Sequence, residues 1–183
     1  MPIILDVETS GLDPKANSIL SLGCIDHATG DEFYMECCPW VGAVVEQKAL
    51  DVNGFTEKSW ADKNTEAVLI KTFAKWLAGR EDLTPVGQNV SFDVGFVHEA
   101  CSRARIYIDI GRRTIDLHAL CWFVLTRRGN PVPTKRRRSA LDLDLQLELF
   151  EVKKRNDKTH SALEDVRLEH DLFKTLLTKR KKK

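Results

Sequence analysis

Long apolar runs are missing from this 183-residue sequence, and its first residues show no basic segment followed by an apolar stretch and a cleavage site. The first absence argues against a membrane-spanning helix, and the second argues against a secretory signal. The apolar and charged fractions are ordinary for a globular chain. We therefore predict a soluble, cytoplasmic protein without a membrane partner.

Cysteine is scarce, and its spacing does not suit metal or disulfide chemistry. None of the cysteines forms a Cys-x-x-Cys pair, and two of them are adjacent in sequence. They are Cys24, Cys37, Cys38, Cys101 and Cys121. An odd number cannot all be bridged within one chain, and adjacent thiols are a poor arrangement for a shared zinc ion. Buried, reduced thiols are expected, which agrees with a cytosolic location.

Hydrophobic patterning predicts an α/β fold with a mixed central β-sheet flanked by α-helices. The first strand begins at Ile3, and turn residues at 27–31 indicate an antiparallel hairpin between the next two strands. After the first, strands are predicted at 18–26, 32–37, 83–87, 107–110 and 114–116. Helices are predicted at 46–52, 65–77, 92–105, 117–125 and 161–178. A hairpin followed by alternating helices and strands is typical of a mixed sheet.

The segment at residues 141–149 is ambiguous. Apolar and polar residues alternate with a period of two, which is typical of a half-buried strand. Against a strand, its leucines also recur every four residues along one helical face, and Ser139 followed by Asp142 resembles a helix capping box. We favour a helix. The preceding segment, residues 127–138, contains glycine and two prolines and is predicted to be a loop.

Two carboxylates, Asp6 and Glu8, lie in the first strand. Successive side chains of a strand point to opposite faces, so these two share one face. Neighbouring carboxylates repel each other, which is costly at the end of a buried strand unless a cation lies between them. The pair therefore predicts a divalent-metal site. This stretch alone is explained equally well without a metal, if Asp6 caps the strand and Glu8 lies in solvent.

Three further residues are placed to join this pair. Asp93 follows a predicted strand and turn at the start of a helix, and His160 and Asp165 flank the start of the last helix. Partial positive charge at a helix N-terminus favours an anion there. Strand ends and helix starts meet at the edge of an α/β sheet where active sites usually lie. Four carboxylates and one histidine are therefore expected to converge.

Four converging carboxylates require positive counter-charge. Hard oxygen ligands suit Mg²⁺ or Mn²⁺ better than zinc. Two such ions, about 3.5–4 Å apart, are a recurring device for phosphodiester hydrolysis, in which a histidine can take the proton of the attacking water. Two basic runs fit a polyanionic substrate: residues 127–138 hold six basic and no acidic residues, and residues 179–183 are all basic. Each run alone is equally typical of a solvated loop or tail.

Three short motifs together resemble those of a known family, the DEDDh (DnaQ-like) 3′–5′ exonucleases. The motifs are Asp6-x-Glu8, Asn89-x-x-Phe92-Asp93 and His160-x-Ala162-x-x-Asp165. Their order and internal spacing match, and they span nearly the whole chain. The resemblance implies a ribonuclease-H-like fold, with a single exonuclease domain over residues 1–178 and a basic C-terminal tail at 179–183.

The resemblance also implies a role for each residue. Asp6 would bridge two Mg²⁺ or Mn²⁺ ions, and Glu8 and Asp165 would hold the more tightly bound ion. Asp93 would complete the site mainly through water on the second ion, and His160 would be the general base. The positions that would contact substrate are Thr9, Ser10, Leu12, Phe55 and Asn89. Of these, Phe55 is also explained as a core residue.

The implied function is release of nucleoside 5′-monophosphates from the 3′ end of single-stranded DNA or RNA. Two alternatives fit the same motifs: a proofreading subunit of a polymerase, and a catalytically idle nucleic-acid-binding domain. Sugar preference stays open, because it depends on how closely the pocket approaches the 2′-hydroxyl. A homodimer is one expected state, since several relatives pair.

Overall fold

The computed structural model describes residues 1–153 and 159–178. A six-stranded mixed sheet flanked by helices forms its centre, as predicted, in the order β4-β3-β2-β1-β5-β6. The strands are β1 (Ile3–Thr9), β2 (Ile19–Asp26), β3 (Glu32–Cys38), β4 (Asn64–Thr65), β5 (Pro85–Gly87) and β6 (Ile115–Asp116). The predicted basic tail at 179–183 lies outside the described residues.

The direction of the strands determines where functional residues can meet. β1, β2 and β3 form an antiparallel meander, whereas β5 is parallel to β1 and β6 is parallel to β5. The carboxyl ends of β1, β5 and β6 therefore lie at one edge of the sheet. Pro85 takes the first position of β5, where a missing N–H donor is tolerated.

Helices cover both faces of the sheet. They are α1 (Gln47–Asn53), α2 (Glu57–Trp60), α3 (Glu66–Leu77), α4 (Ser91–Ala104), α5 (Leu117–Arg127), α6 (Leu143–Leu149) and α7 (Ala162–Leu177). On one face, Ile3, Leu5 and Val7 of β1 pack with α3 and α4, whereas Ile4 on the other face packs with α5, α6 and α7. The period of two along β1 thus separates two apolar cores. None of the described helices has the length and apolar character needed to cross a bilayer.

The structure corrects two details of the prediction at residues 127–149. The predicted helix is present as α6, but its N-cap is Asp142, whose carboxylate accepts the Leu145 N–H, and not Ser139. The predicted loop contains a short antiparallel hairpin of β7 (Thr134–Lys135) and β8 (Arg138–Ser139). Flanking prolines and glycine conceal it in the sequence, because they are typical of loops.

Three other predictions were incomplete. Residues 107–110 form no strand in the described chain, because the Ile110 N–H donates to the Ile108 carbonyl and turns the backbone. The one-turn helix α2 was not predicted. The predicted helix at 161–178 is present as α7, but its buried residues end at Phe173, and Leu177 is 58% exposed. The thiols agree with expectation: all five are unbridged, and only Cys38 is more than slightly exposed.

Candidate active site

The site begins with β1, where Asp6 and Glu8 lie on the same side of the sheet as Ile4, facing α7. This follows from the period of two, since the alternate residues Leu5 and Val7 belong to the core on the other face. Glu8 is only 9% exposed. The strand therefore delivers two carboxylates to one largely enclosed place at its carboxyl end.

Asp93 joins β1 from the first turn of α4. β5 ends at Gly87, short of the register position opposite Val7. Beyond that point the Val7 N–H donates to Asp93 Oδ1 at 3.0 Å, so the carboxylate takes the position of a strand partner. Because it bonds to Val7, the Asp93 carboxylate lies level with the part of β1 between Asp6 and Glu8. Asp93 is only 4% exposed.

The start of α7 supplies the remaining two motif residues. His160 Nδ1 lies 3.4 Å from Asp165 Oδ2, and one ligand atom each of Glu8, His160 and Asp165 lie within 4.8 Å of one another. Asp165 is buried, but the His160 side chain is 44% exposed. The His160 N–H donates to the Val52 carbonyl of α1, which secures the residue just before the helix.

A glycine permits this close approach of α7. Gly23 of β2 lies opposite Asp6 in the sheet register. A Cβ atom at Gly23 would lie 2.4 Å from the Ala162 carbonyl oxygen, closer than atoms can pack. The first turn of α7 therefore rests directly on the β2 backbone, which brings Asp165 beside β1.

Glu169 is a fifth carboxylate at this site that sequence analysis missed. It lies one helical turn after Asp165, is 2% exposed, and accepts the Gln88 N–H through Oε1 at 2.8 Å. Its Oε2 atom accepts no hydrogen bond from the described residues. The spacing of four from Asp165 was the available signal, because such residues share a helix face. We call Asp6, Glu8, Asp93, Asp165 and Glu169 the carboxylate cluster.

The electrostatics of the cluster favour a cation. Burial, followed by the charge of Asp6, raises the pKa of the Asp93 carboxyl well above its ordinary value. Burial, followed by the charge of Asp6, also raises the pKa of the Glu169 carboxyl, and the charges of Asp93 and Asp165 raise it further. Four buried carboxylates and the half-buried Asp6, with an unsatisfied oxygen at Glu169, form an all-oxygen donor set, which fits divalent Mg²⁺ or Mn²⁺.

A cavity of about 230 Å³ opens beside Glu8, and two of the predicted substrate contacts line it. Leu12 is 75% exposed at its mouth, and Phe92 forms part of its wall. Thr9 also lines the cavity, although its hydroxyl donates to the Gly11 carbonyl. The cavity therefore has an apolar side chain at its mouth and a carboxylate of the cluster in its wall.

The other three predicted substrate contacts have different surroundings. The Ser10 hydroxyl is buried, where it donates to the Val44 carbonyl and accepts the Ser18 N–H. Asn89 is exposed with a left-handed backbone (φ 56°) between β5 and α4. Phe55 is half-buried against a small apolar group, as the alternative of a core residue anticipated. That group consists of Leu20, Leu50 and Trp60.

Comparison with known proteins agrees with this architecture. Residues 3–173 match the model of the RNase T family, described as "Exonuclease". Subunit epsilon of DNA polymerase III from Buchnera aphidicola is 27% identical over 174 residues, covering 89% of this chain and 67% of that protein. Ribonuclease T from Photobacterium profundum is 25% identical over 200 residues, covering 99% of this chain and 83% of that protein.

Solved structures show the same fold. Escherichia coli Exonuclease I in complex with a dA16 oligonucleotide aligns with a TM-score of 0.78 at 17% identity, covering 98% of this chain. The present chain spans 41% of that Exonuclease I chain. The predicted ribonuclease-H-like exonuclease fold and the DnaQ-like resemblance are thus confirmed. Because the family model matches nearly the whole sequence, this chain belongs to the RNase T exonuclease family, whose members are 3′–5′ exonucleases that hydrolyse phosphodiester bonds.

Proposed function

We propose that this chain is a two-metal-ion exonuclease that removes nucleoside 5′-monophosphates from the 3′ end of single-stranded nucleic acid. One observation carries the proposal: three distant chain segments bring Asp6, Glu8, Asp93 and Asp165 together with His160 at one sheet edge, beside a cavity. A set of buried like charges is expensive to assemble without a functional cation.

The four motif carboxylates would hold the cations. Glu8 and Asp165 are close enough to share one ion, and the charge of Asp6 helps to raise the pKa of Asp93, so these two carboxylates would contribute to the same site. Divalent ions bound there would supply charge neutralisation at the phosphate and activation of the attacking water. Because these carboxylates are placed by buried elements, the ligand geometry exists before substrate arrives, which lowers the reorganisation needed for reaction.

His160 is suited to removing a proton from the attacking water. Its Nδ1 atom faces Asp165, so the opposite ring nitrogen, Nε2, is the one that would accept the proton. Its half-exposed position also allows the proton to pass to solvent afterwards. The carboxylate partner would stabilise the imidazolium once it forms, as in other histidine-acid pairs.

The cavity beside Glu8 would receive the 3′-terminal nucleotide. Leu12 at the mouth and Phe92 in the wall offer apolar surface to a base. Such a contact would accept any of the bases, because each has an apolar face. Ser10 would act through its backbone and by fixing the loop after β1, since its hydroxyl is engaged within the protein. Asn89 and Phe55 are proposed as more distant contacts to the same strand.

The similarity to a subunit of DNA polymerase III supports a second candidate, a proofreading exonuclease that works within a polymerase. The two candidate functions differ in whether activity depends on a polymerase. An independent exonuclease degrades a free single strand alone, whereas a proofreading subunit would be stimulated by its polymerase at a mismatched primer end. A catalytically idle binding domain would do neither.

The test is degradation of DNA and RNA single strands labelled at either end, with Mg²⁺, Mn²⁺ or EDTA. Immediate release of a mononucleotide from the 3′ label, abolished by EDTA and by Asp6→Ala, is expected. Asp116→Asn is the matched control, because Asp116 ends a neighbouring strand outside the cluster and caps α5, a role that Asn retains. Cleavage that survives Asp6→Ala, or no cleavage with any metal, would contradict the proposal.

A further inference from the structure

A second, larger cavity lies beside the β7–β8 hairpin. Its volume is about 730 Å³, and Lys135, Arg136 and Arg138 line it together with Gln88 and His118. We call residues 134–139 the basic hairpin and this space the hairpin cavity. Neither is used by the mechanism above.

The hairpin cavity adjoins the carboxylate cluster along the sheet edge. Gln88 immediately follows β5, and His118 lies two residues after β6. Val86 of β5 pairs with both Ile4 of β1 and Ile115 of β6. The end of β6 therefore lies about two strand spacings, or roughly 10 Å, from the part of β1 that precedes Asp6. The Gln88 N–H donates to Glu169 of the cluster, so a single residue contacts both regions.

The hairpin cavity is strongly positive. All four basic residues of the hairpin are exposed, and none forms an ion pair with another described residue. Arg136 and Arg137 form the turn between β7 and β8, both at positive φ (50° and 64°), so the four basic residues follow one another in sequence around the tip of the hairpin. Asp142 also lines the cavity, but its carboxylate is engaged in capping α6.

We propose that the hairpin cavity binds the backbone phosphates of the nucleic-acid strand just upstream of its 3′-terminal nucleotide. This inference rests on the proposed function, because the strand must lead away from the carboxylate cluster. Arginine and lysine are the usual partners of phosphate oxygens, and a cavity bounded by three of them accepts a chain of phosphates without reading the bases. The basic hairpin thus attracts the polyanion that the carboxylate cluster repels.

The first test is binding of a fluorescent oligothymidylate in EDTA, measured by anisotropy over a range of salt. The triple variant Lys135→Gln/Arg136→Gln/Arg138→Gln is expected to bind on the order of 10- to 100-fold more weakly at about 0.1 M salt. The slope of log affinity against log salt should become shallower by about 2, since each lost single-strand phosphate contact removes about 0.7.

A matched control removes the same charge elsewhere. Lys71→Gln/Lys75→Gln/Arg112→Gln changes three exposed residues on α3 and on the connection before β6. Affinity and salt slope close to wild type are expected for this control. Equal losses in the two triple variants would overturn the proposal, because they would show a general charge effect. Tighter, hairpin-dependent binding of a blunt duplex than of the single strand would also overturn it.

The second test separates this inference from the proposed function. The p-nitrophenyl ester of thymidine 5′-monophosphate has a scissile bond but no upstream strand, so the hairpin variant should hydrolyse it at the wild-type rate with Mn²⁺. On oligonucleotides the same variant should show a raised KM and an unchanged kcat. Loss of ester hydrolysis in the hairpin variant would contradict the inference. Failure of wild type to cleave either substrate would contradict the proposed function, while the binding result would still decide the role of the hairpin.

Discussion

The carboxylate cluster and the basic hairpin border the same edge of the sheet but are held in different ways. Cluster residues come from β1, α4 and α7, whose backbones pack within the two apolar cores. The basic hairpin is a two-residue ladder with exposed basic side chains, and it is anchored through the flanking residues Val132 and Leu141, which pack in the core with α5, α6 and α7. One region lies within the cores, whereas the other projects from them.

This difference indicates a division of labour. Metal-binding carboxylates must keep their separation to within fractions of an ångström, which buried strands and helix starts provide. A surface that attracts a flexible strand through charge needs only approximate placement, because Coulomb attraction falls slowly with distance. Substitutions in the cluster should therefore abolish chemistry, whereas substitutions in the hairpin should change affinity.

The largest effect is expected for Asp93→Asn. The amide can still accept the Val7 N–H, so the fold should persist, but a charge that we propose binds metal is lost. We expect activity on a single strand to fall roughly 100- to 1000-fold, and thermal stability in EDTA to be unchanged or higher, because a buried like charge is removed. Asp116→Asn should leave both unchanged. If Asp93→Asn kept its activity, the carboxylate cluster would not carry the chemistry, and the proposed difference from the basic hairpin would be wrong.

His160→Gln sharpens the comparison by separating proton transfer from metal binding. The carboxylate cluster stays intact, so Mn²⁺ should still raise the melting temperature, while kcat should fall about 100-fold or more. His98→Gln is the control, because His98 contacts the Ile110 carbonyl away from the cluster. Wild-type kcat in His160→Gln would remove this residue from the mechanism.

The same contrast explains what the sequence could predict. Asp6 and Glu8 share a face because of strand geometry, and Asp93 and Asp165 stand at helix starts marked by turns and strand ends, so local pattern could predict that these carboxylates lie near one another. Glu169 was missed because a carboxylate within an amphipathic helix is normally solvent-facing, so its spacing of four from Asp165 does not by itself indicate that it is buried. The hairpin was missed because its two-residue strands carry no periodic signal.

Gly23→Ala tests how closely the cluster depends on backbone packing. A methyl group at this position would meet the Ala162 carbonyl oxygen, so the first turn of α7 must shift. We expect destabilisation of about 1–3 kcal/mol and a clear loss of activity as Asp165 moves. Gly95→Ala, in the interior of α4 with no close neighbour, should instead stabilise by about 0.5–1 kcal/mol. Thermal melting measures the stability of both variants, and single-strand degradation measures their activity. A Gly23→Ala protein with wild-type stability and activity would contradict the tight packing of α7 on β2.

The smallest effect concerns stability without metal. Burial and the charge of Asp6 raise the pKa of both Asp93 and Glu169. At pH values between the ordinary carboxyl pKa and these raised values, the folded protein therefore keeps protons that the unfolded chain has lost. Stability in EDTA should therefore be greatest at low pH and fall as pH rises through the raised values. Glu169→Gln should reduce the fall in melting temperature between about pH 5 and pH 8 by roughly 2–4 °C.

Divalent metal should oppose the same fall. If it binds the folded, ionised cluster as proposed, its stabilising effect should grow with pH. The hairpin triple variant provides the comparison, since its residues are exposed and lie outside the cluster. Its loss of stability with pH in EDTA should equal that of wild type. If Glu169→Gln also matched wild type at every pH, then Glu169 would not share in the repulsion that makes the cluster a cation site.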